Sequence, residues 1–408
     1  MGQPITWFGI DAHKKTLVIA VLWPDRQQPE WSIENTESAV VKLVRRLEKQ
    51  SKGAEIRACY EAGTCGYTLQ RRFHAAGKVV CEVIAPSLIP RKPGEHIKTD
   101  RRDARKLAEL NRAGLLTTVA PPTLEQEALR DLCRCREDIR SDLGRCRHRL
   151  VKMLVRRGYA FNSTSRLWSE AHRRWLASLE FENPVDRVVL SEYQLAVLQL
   201  EQRLRAVDAE IAKAAELPLY REHVARLRCF RGIDTTTAMI FLAELHGIER
   251  FESPRQLSAY LGLVPSLYSS ADKAHRGSIT KAGNRHIRRV LVQTSWQYRH
   301  RPGVGPKLRA RREGQPGRVL TIADNAQRRL CTRYRRLTER GKTPNKVVIA
   351  IARELVGFLW AALKEPAATT IATPTIPRTE PAIATRAKAL SGPAVGQRRK
   401  ARKEKRAS

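Results

Sequence analysis

Acidic and aromatic residues are scarce in this sequence. Asp and Glu total 41 against 76 Lys and Arg among 408 residues, and Phe, Trp and Tyr together make up only 6%. The formal net charge of +35 exceeds what solubility requires, and it predicts a polyanionic partner, most simply nucleic acid. Because proteins that bind single strands commonly stack bases on aromatic side chains, the scarcity of aromatics favours a protein that binds phosphates.

Zinc-binding cysteine pairs and long apolar runs are also missing. The eight cysteines are scattered, without a CxxC pair or a histidine at zinc spacing, so we expect free thiols in a reducing cytosol. No apolar run is long enough to span a bilayer, and the first residues do not have the pattern of a signal peptide. We therefore expect a cytoplasmic protein, associated with the bacterial nucleoid, that has no membrane partner.

In residues 1–119, predicted strands and helices alternate. Apolar runs bounded by turn residues predict five strands, at residues 5–11, 16–22, 30–33, 55–61 and 79–84. Asp11 ends the first strand and Glu61 ends the fourth. If these two strands are neighbours in a sheet, both carboxylates lie at the same edge, where open sheets place their sites.

A predicted helix carries two further acids. Asp100 and Asp103 are three residues apart in front of apolar residues at helical spacing, so both lie on one helix face. Acids are also common at helix starts, where they complement the helix dipole, and for this pair alone that explanation is the simpler one. If the helix closes over the sheet edge, four acids from three elements meet, and such a group suits Mg²⁺. This is the layout of the ribonuclease H-like fold, and the set Asp11, Glu61, Asp100 and Asp103 resembles that of the RuvC-type resolvase domain.

The middle of the chain has the periodicity of long helices. Apolar residues recur at alternating steps of three and four from Leu129 to Met153, interrupted at Arg136, and from Leu190 to Ile211 without interruption. The two runs predict an antiparallel coiled-coil arm that spaces domains or pairs protomers. Arginines on its outer faces are expected to follow a phosphate backbone: Arg130, Arg134, Arg140, Arg145, Arg147 and Arg149.

Two stretches of the C-terminal half are candidates for phosphate contact. Residues 227–245 predict two short helices joined at Gly232, a helix-hairpin-helix whose backbone N–H groups can approach a phosphate. Asp234 stands where a second glycine is usual, which weakens that expectation. The tract 258–289 places hydroxyls among cations, where a serine either binds phosphate or attacks it. The candidate nucleic-acid-binding residues are Gly232, Arg276, Lys281, Asn284, Arg285, Arg288 and Arg289.

These motifs, in their joint order, resemble one family. They are Gly9-Ile10-Asp11, Glu61-Ala62-Gly63 with Tyr67, Lys98-Thr99-Asp100 with Asp103-Ala104, the Gly232-Ile233 hairpin, and the tract from Tyr260 to Arg289. Over residues 5–364 the chain is similar to the DEDD-type transposases of insertion sequences. That family includes the Piv DNA invertases and the recombinases guided by a bridge RNA.

The resemblance implies a mixed α/β and all-α organisation. It places a RuvC-like metal domain at 1–119, a coiled-coil helical region at 120–215, and a helical transposase domain with a helix-hairpin-helix at 216–364. The remaining segment, 365–408, is rich in Pro, Ala and Thr and ends in a basic run, which predicts a disordered basic tail.

The resemblance also implies a chemistry and a set of partners. The four acids would hold Mg²⁺, and a serine would form a phosphoserine link to DNA that a 3′ hydroxyl of another strand later displaces. By its position after Tyr268 the serine maps to Ser270, with Ser269 the next candidate and Ser278 the third. The implied partners are donor and target DNA, a structured guide RNA, and further copies of the chain in a dimer or tetramer.

Two alternatives stay open at this point. A metal-dependent endonuclease of the Holliday-junction type would use the same acids with an activated water, and a covalent protein-DNA species would distinguish it from a serine recombinase. A non-enzymatic DNA-binding protein would explain the charge but would leave four convergent acids unexplained.

Overall fold

Six described strands form one mixed sheet in the N-terminal part. The computed structural model describes residues 4–23, 30–90, 99–270 and 273–366, and from 268 to 276 the backbone alone. The strands are β1 (Ile5–Ala12), β2 (Thr16–Leu22), β3 (Glu30–Glu34), β4 (Glu55–Glu61), β5 (Val79–Ile84) and β6 (Thr118–Val119), and their order is β3-β2-β1-β4-β5-β6. β1 runs parallel to β4 and β4 to β5, while the other neighbours are antiparallel.

Helices cover both faces of this sheet. On one face, α1 (Glu37–Ser51) and α2 (Thr68–Ala76) bury Val44 and Phe73 against Phe8 and Ile10 of β1. The spacing of the apolar residues in α1 dictates this packing, because Val40, Val44 and Leu47 fall on one side of the helix. On the opposite face lies α3 (Asp100–Arg112), the helix that carries the second pair of acids.

Gly9 allows α3 to lie directly on β1. A Cβ atom at this position would overlap the carbonyl oxygen of Ala104 and would lie 2.6 Å from the nitrogen of Ala108. Ala104 and Ala108 are themselves fully buried and small, so the backbones of strand and helix come into contact. The close approach fixes the height and tilt of α3 over the sheet.

Two long helices form the middle of the chain. They are α4 (Leu124–Arg156) and α6 (Pro184–Ala215), and the short α5 (Glu170–Ala177) lies between them in sequence. Ion pairs of Arg136 with Asp208 and of Arg157 with Asp186 show that α4 and α6 pack antiparallel, as predicted. Arg136 interrupts the apolar seam because its guanidinium reaches across to Asp208 on the partner helix.

The C-terminal half is built from helices around a separate core. They are α7 (Pro218–Arg228), α8 (Thr235–Leu245), α9 (Pro254–Tyr260), α10 (Arg285–Ser295), α11 (Pro306–Arg312), α12 (Gly317–Glu339) and α13 (Pro344–Lys364). Leu129 and Ile211, at the adjoining ends of α4 and α6, are buried in the same core. None of the described helices is both long and apolar enough to cross a membrane.

A two-stranded hairpin interrupts these helices. β7 (Pro265–Ser270) pairs antiparallel with β8 (Lys273–Ile279), and the sequence analysis did not predict either strand. Their residues are mostly polar and show little apolar alternation, so the pattern that marks a half-buried strand is weak.

Lys98 of the motif before α3, and the predicted tail from residue 367 onward, lie outside the described residues.

Candidate metal centre and nucleic-acid interface

The sheet brings Asp11 and Glu61 to one edge. The parallel register of β1 and β4 ends with Ile10 opposite Tyr60, so Asp11 and Glu61 occupy the next positions on adjacent strands. Because side chains alternate along a strand, Asp11 shares its face with Gly9 and Glu61 shares its face with Cys59. That face is the one covered by α3, since the Cys59 thiol donates to the carbonyl oxygen of Leu107 at 3.5 Å.

The first turn of α3 lies at the height of the strand ends that carry Asp11 and Glu61. Thr99 caps the helix by accepting a hydrogen bond from the backbone N–H of Arg102 at 3.3 Å. Two residues of strand from Gly9 to Asp11 span about 6.6 Å. Four residues of helix from Ala104 back to Asp100 span about 6 Å. With Gly9 lying against Ala104, the carboxylates of Asp11 and Asp100 therefore come close together.

His13 lies between these two carboxylates. Its Nε2 atom is 3.5 Å from Oδ2 of Asp11 and 3.3 Å from Oδ2 of Asp100. One ligand atom from each of the three residues falls within 4.8 Å of the others. His13 is not among the site residues predicted from the sequence. The sequence feature that could have identified His13 is its position two residues after Asp11, on the same short hairpin.

The other two predicted ligands are on the neighbouring strand and on the same helix. Glu61 is exposed at the end of β4, one strand away from Asp11, and Asp103 is half-buried in the first turn of α3. Carboxylate oxygens suit Mg²⁺ and Mn²⁺, and the exposure of Asp100 and Glu61 leaves room for water and phosphate oxygens around an ion. The residues present thus fit a divalent metal: Asp11, His13 and Asp100 are brought together, while Glu61 is on the adjacent strand and Asp103 is in the same helical turn as Asp100.

Glu30 ties α3 to the far strand of the sheet. Its carboxylate forms an ion pair with Arg105, whose Nη2 lies 2.7 Å from Oε1 of Glu30. Nε of Arg101 lies 4.0 Å from Oε2 of the same carboxylate. These contacts cross from β3 to the first two turns of α3 and hold the helix start in place. A cavity of about 390 Å³ lies beside them and is lined in part by Trp31 and Asp100, so open space adjoins the acidic edge.

In the predicted helix-hairpin-helix, an acidic side chain occupies the start of the second helix. α7 and α8 are joined through Gly232, whose φ of +80° only glycine adopts readily, and a Cβ there would lie 3.1 Å from the Thr294 carbonyl oxygen. Asp234 caps α8, and its carboxylate accepts from the N–H of Thr237 at 2.8 Å. An anionic side chain therefore occupies the helix start at which a phosphate was expected.

Three of the predicted nucleic-acid-binding residues have partners inside the protein. The amide of Asn284 donates to Oε2 of Glu244 at 2.7 Å, and Nη1 of Arg288 donates to the carbonyl oxygen of Leu261 at 2.9 Å. Arg289 forms an ion pair with Glu137 on α4. These side chains anchor the tract to the helices around it, and their internal partners compete with phosphate.

Lys281 and Arg285 are exposed and face solvent on the same tract. Ser278 is exposed in β8, and its hydroxyl lies 3.5 Å from the carbonyl oxygen of Ile279. Ser269 and Ser270 are the last two residues of β7, and the backbone pairs Ser270 with Lys273 across the hairpin. The side chains of Ser269, Ser270 and Arg276 lie outside the described part of the chain.

Glu244 is a buried anion that the sequence analysis did not identify. It is 1% exposed, and Arg134 binds it through Nε at 2.7 Å and Nη2 at 3.0 Å. Burial raises the pKa of Glu244, but the hydrogen bonds from Arg134 and Asn284 outweigh burial and lower the pKa below its usual value. The carboxylate thus stays charged and joins α4, α8 and the start of α10.

The arginines of α4 include buried, groove-lining and exposed residues. Arg130, predicted on an outer face, is 8% exposed and its guanidinium stacks over the ring of Tyr67, so that prediction is wrong for this residue. A groove of about 660 Å³ between α4, α6 and α10 is lined by five arginines and two glutamates. They are Arg140, Arg147, Arg173, Arg205 and Arg289, with Glu137 and Glu201. Within the described chain no ion pair engages Arg140 or Arg205, so the groove carries excess positive charge.

Comparison with known proteins gives matches along most of the chain. Residues 8–157 match the model of the DEDD transposases of IS110, described as "Transposase", and residues 224–310 match "Transposase IS116/IS110/IS902 family". The putative transposase y4qE of Sinorhizobium fredii is 38% identical over 365 residues, which cover 89% of each chain. The transposase for insertion sequence element IS1533 of Leptospira borgpetersenii is 36% identical over 341 residues, 82% of this chain and 97% of that one. The first matched region contains all four predicted acids.

Proposed function

Because the chain belongs to the IS116/IS110/IS902 family of transposases, we propose that it cleaves and exchanges DNA strands with a RuvC-like metal domain and a serine nucleophile. The prediction of an insertion-sequence transposase is confirmed, and its DEDD type implies the use of a divalent metal. The observation that carries the proposal is the convergence of Asp11 and Asp100 at one edge of the sheet.

The sheet supports a ribonuclease H-like fold for the N-terminal part. Its order β3-β2-β1-β4-β5, with three antiparallel strands followed by two parallel ones, is the arrangement in which acids at the ends of β1 and β4 meet. The antiparallel α4 and α6 support the coiled-coil arm, and the turn at Gly232 between α7 and α8 supports the helix-hairpin-helix.

Asp11, Glu61, Asp100 and Asp103 are the residues that would hold Mg²⁺. When bound, the metal neutralises the scissile phosphate and the charge that develops on the leaving oxygen. The protein's own contribution is to hold the carboxylates in place: β1 and β4 fix two of them in register, and the capped start of α3 fixes the other two. Thr99 stabilises the first turn of α3, and Glu30 links that end of the helix to β3.

Ser270 is the proposed nucleophile. Its oxygen would attack phosphorus, form a phosphoserine ester and release the 3′ oxygen of the cleaved strand, which takes up a proton. A free 3′ hydroxyl would later attack the ester and release the serine, so exchange conserves the number of phosphodiester bonds. Ser270 ends β7 at the tip of the hairpin, whose base is held where Thr280 N–H donates to the Val264 carbonyl oxygen at 2.9 Å. The position of Ser270 at the end of a hairpin strand supports this assignment.

Charge supports the nucleic-acid partners of this reaction. A formal charge of +35 and a groove with excess arginine suit the backbones of donor and target DNA and of a structured guide RNA. Exposed Lys281 and Arg285 lie beside the hairpin in sequence and are the members of the predicted set that remain most available to phosphate. Strand exchange between two DNA duplexes calls for more than one active site, which a dimer or tetramer supplies.

Trapping a covalent adduct tests the serine chemistry. The purified protein is incubated with a nicked DNA substrate bearing the insertion-sequence end, with Mg²⁺, and resolved by denaturing electrophoresis. We expect an adduct for the wild type and for Ser278→Ala, which serves as the matched control on the same hairpin, and none for Ser270→Ala. Mass spectrometry of the adduct distinguishes Ser269 from Ser270. Metal-dependent cleavage without an adduct in any protein would identify water as the nucleophile and favour a junction endonuclease.

A further inference from the structure

His13 presents a nitrogen donor to the two carboxylates that lie closest together. We propose that Nε2 of His13 is a metal ligand together with Asp11 and Asp100, and that it gives the site a preference for Mn²⁺ over Mg²⁺. The inference rests on the proposed metal site, and it adds a residue outside the four predicted acids.

The distances suit one shared ion. Ligands bound about 2.1 Å from an octahedral ion lie about 3 Å apart when they are neighbours and about 4.2 Å apart when they are opposite. The Nε2 atom is 3.5 Å from the Asp11 oxygen and 3.3 Å from the Asp100 oxygen, and all three atoms lie within 4.8 Å of one another. Small side-chain movements would place all three around one ion.

Hydrogen bonds hold both the N–H and the carbonyl oxygen of His13. Its N–H donates to the carbonyl oxygen of Thr16 at 2.9 Å and closes the β1–β2 turn. Its carbonyl oxygen accepts from Nδ2 of Asn35 at 2.9 Å, and Arg72 in turn donates to Oδ1 of Asn35 at 3.1 Å. The constrained turn thus fixes the backbone position from which the His13 side chain extends, which reduces the ordering that metal binding requires.

The open side of the cluster faces solvent. The His13 side chain is 48% exposed and that of Asp100 is 59% exposed, while Asp11 is 23% exposed at the sheet edge. Because the exposed parts of His13 and Asp100 border solvent, that side of the ion is left for water and phosphate oxygens. The arrangement therefore admits substrate without displacing a protein ligand.

An imidazole changes which metal such a site prefers. Mg²⁺ takes oxygen ligands almost exclusively, whereas imidazole nitrogen suits transition metals, and Mn²⁺ accepts both. A site of carboxylates alone discriminates less between the two ions. The competing explanation is that protonated His13 acts as a counter-ion for the two carboxylates, in which case it would oppose both metals to a similar extent.

Metal binding to the full-length protein without DNA separates these explanations. Free Mn²⁺ is measured by electron paramagnetic resonance, and Mg²⁺ affinity by its competition with Mn²⁺. Removing a ligand should cost at least as much as disturbing the hydrogen bonds around one, which is about 10- to 100-fold in affinity. We expect His13→Ala to lose at least about tenfold in Mn²⁺ affinity and much less in Mg²⁺ affinity.

Two further variants sharpen the result. His13→Gln supplies an amide oxygen near the position of Nε2, so it should keep Mg²⁺ affinity without restoring the Mn²⁺ preference. His148→Ala removes an exposed histidine on α4 and should leave both affinities unchanged. Because His13 is half-exposed, both substitutions at that position are expected to preserve the melting temperature.

Failure of this inference differs from failure of the proposed metal site. If Asp11→Asn abolishes binding of both ions but His13→Ala leaves both affinities unchanged, or tightens both ions equally, His13 is not a ligand. If His13→Ala weakens both ions equally, the proposed preference for Mn²⁺ is wrong. If Asp11→Asn leaves both affinities at the wild-type level, the metal site itself is wrongly placed and the inference falls with it.

Discussion

Substituting Gly9 by alanine should damage both stability and the metal site. The new methyl group would lie 2.6 Å from the nitrogen of Ala108 and would overlap the carbonyl oxygen of Ala104, both of which belong to the backbone of α3. Nonbonded heavy atoms settle at about 3.5 Å, so α3 must move by about 1 Å or more. Overpacking costs about 1–3 kcal/mol, and we expect about 3 kcal/mol because backbone cannot rotate away as a side chain does.

The same movement carries Asp100 away from Asp11. Urea unfolding measures the loss of stability, and Mn²⁺ binding by electron paramagnetic resonance measures the loss of the site. Gly63→Ala is the matched control at the same sheet edge, because its methyl group would lie 3.8 Å from the Glu61 carbonyl oxygen, an ordinary contact. We expect the control to change stability by less than about 0.5 kcal/mol.

A wild-type unfolding midpoint and wild-type Mn²⁺ affinity for Gly9→Ala would refute this reasoning. The two results together would mean that α3 does not rest on β1 at Gly9, and the alignment of Asp100 with Asp11 would lose its physical basis. Loss of stability with unchanged metal affinity would show that α3 packs as described but that Asp100 is not a ligand.

The remaining predictions concern buried charges and phosphate binding. Burial and the nearby Arg130 lower the pKa of His246 from 6.5 to about 4. As the pH drops, the unfolded chain therefore takes up a proton on this histidine before the folded protein does. The free energy of unfolding should then decrease between pH 6.5 and pH 4. His246→Asn should flatten that fall in urea titrations across this pH range, and an unchanged profile would exclude His246 as its source. Glu244→Ala should cost about 2 kcal/mol in urea unfolding because Arg134 loses a charged partner, and a change under about 0.5 kcal/mol would contradict its structural role. Affinity for non-specific duplex should fall with salt by a log-log slope of about −0.9 per neutralised phosphate, and Arg140→Ala should reduce the slope by about one such unit if the groove binds DNA.

Local pattern was sufficient to predict much of the N-terminal fold. The strands Thr16–Leu22 and Glu55–Glu61 were predicted with the observed bounds, because each is an apolar run closed by turn residues. The positions of Asp11 and Glu61 at strand ends required only that β1 and β4 be neighbours, and they are. Asp100 on the first turn of α3 followed from helical spacing.

Partners far apart in sequence could not be predicted in this way. Periodicity indicates which face of an element is buried, but it does not indicate that Asn284 meets Glu244 or that Arg289 meets Glu137. These contacts depend on how the helices pack, and they give residues expected to bind phosphate a second set of partners inside the protein. His13 was missed for a related reason, since its role depends on α3 bringing Asp100 to the turn after β1.

The central claim is that Asp11, Glu61, Asp100 and Asp103 act together as one metal site for DNA strand cleavage. The most direct measurement compares cleavage of an insertion-sequence end in Mg²⁺ and in Mn²⁺ by the wild type and by Asp11→Asn, Glu61→Gln, Asp100→Asn and Asp103→Asn. The account predicts that each substitution abolishes cleavage in both metals while DNA binding and the melting temperature are retained. Cleavage at the wild-type rate by any one of the four variants would contradict it.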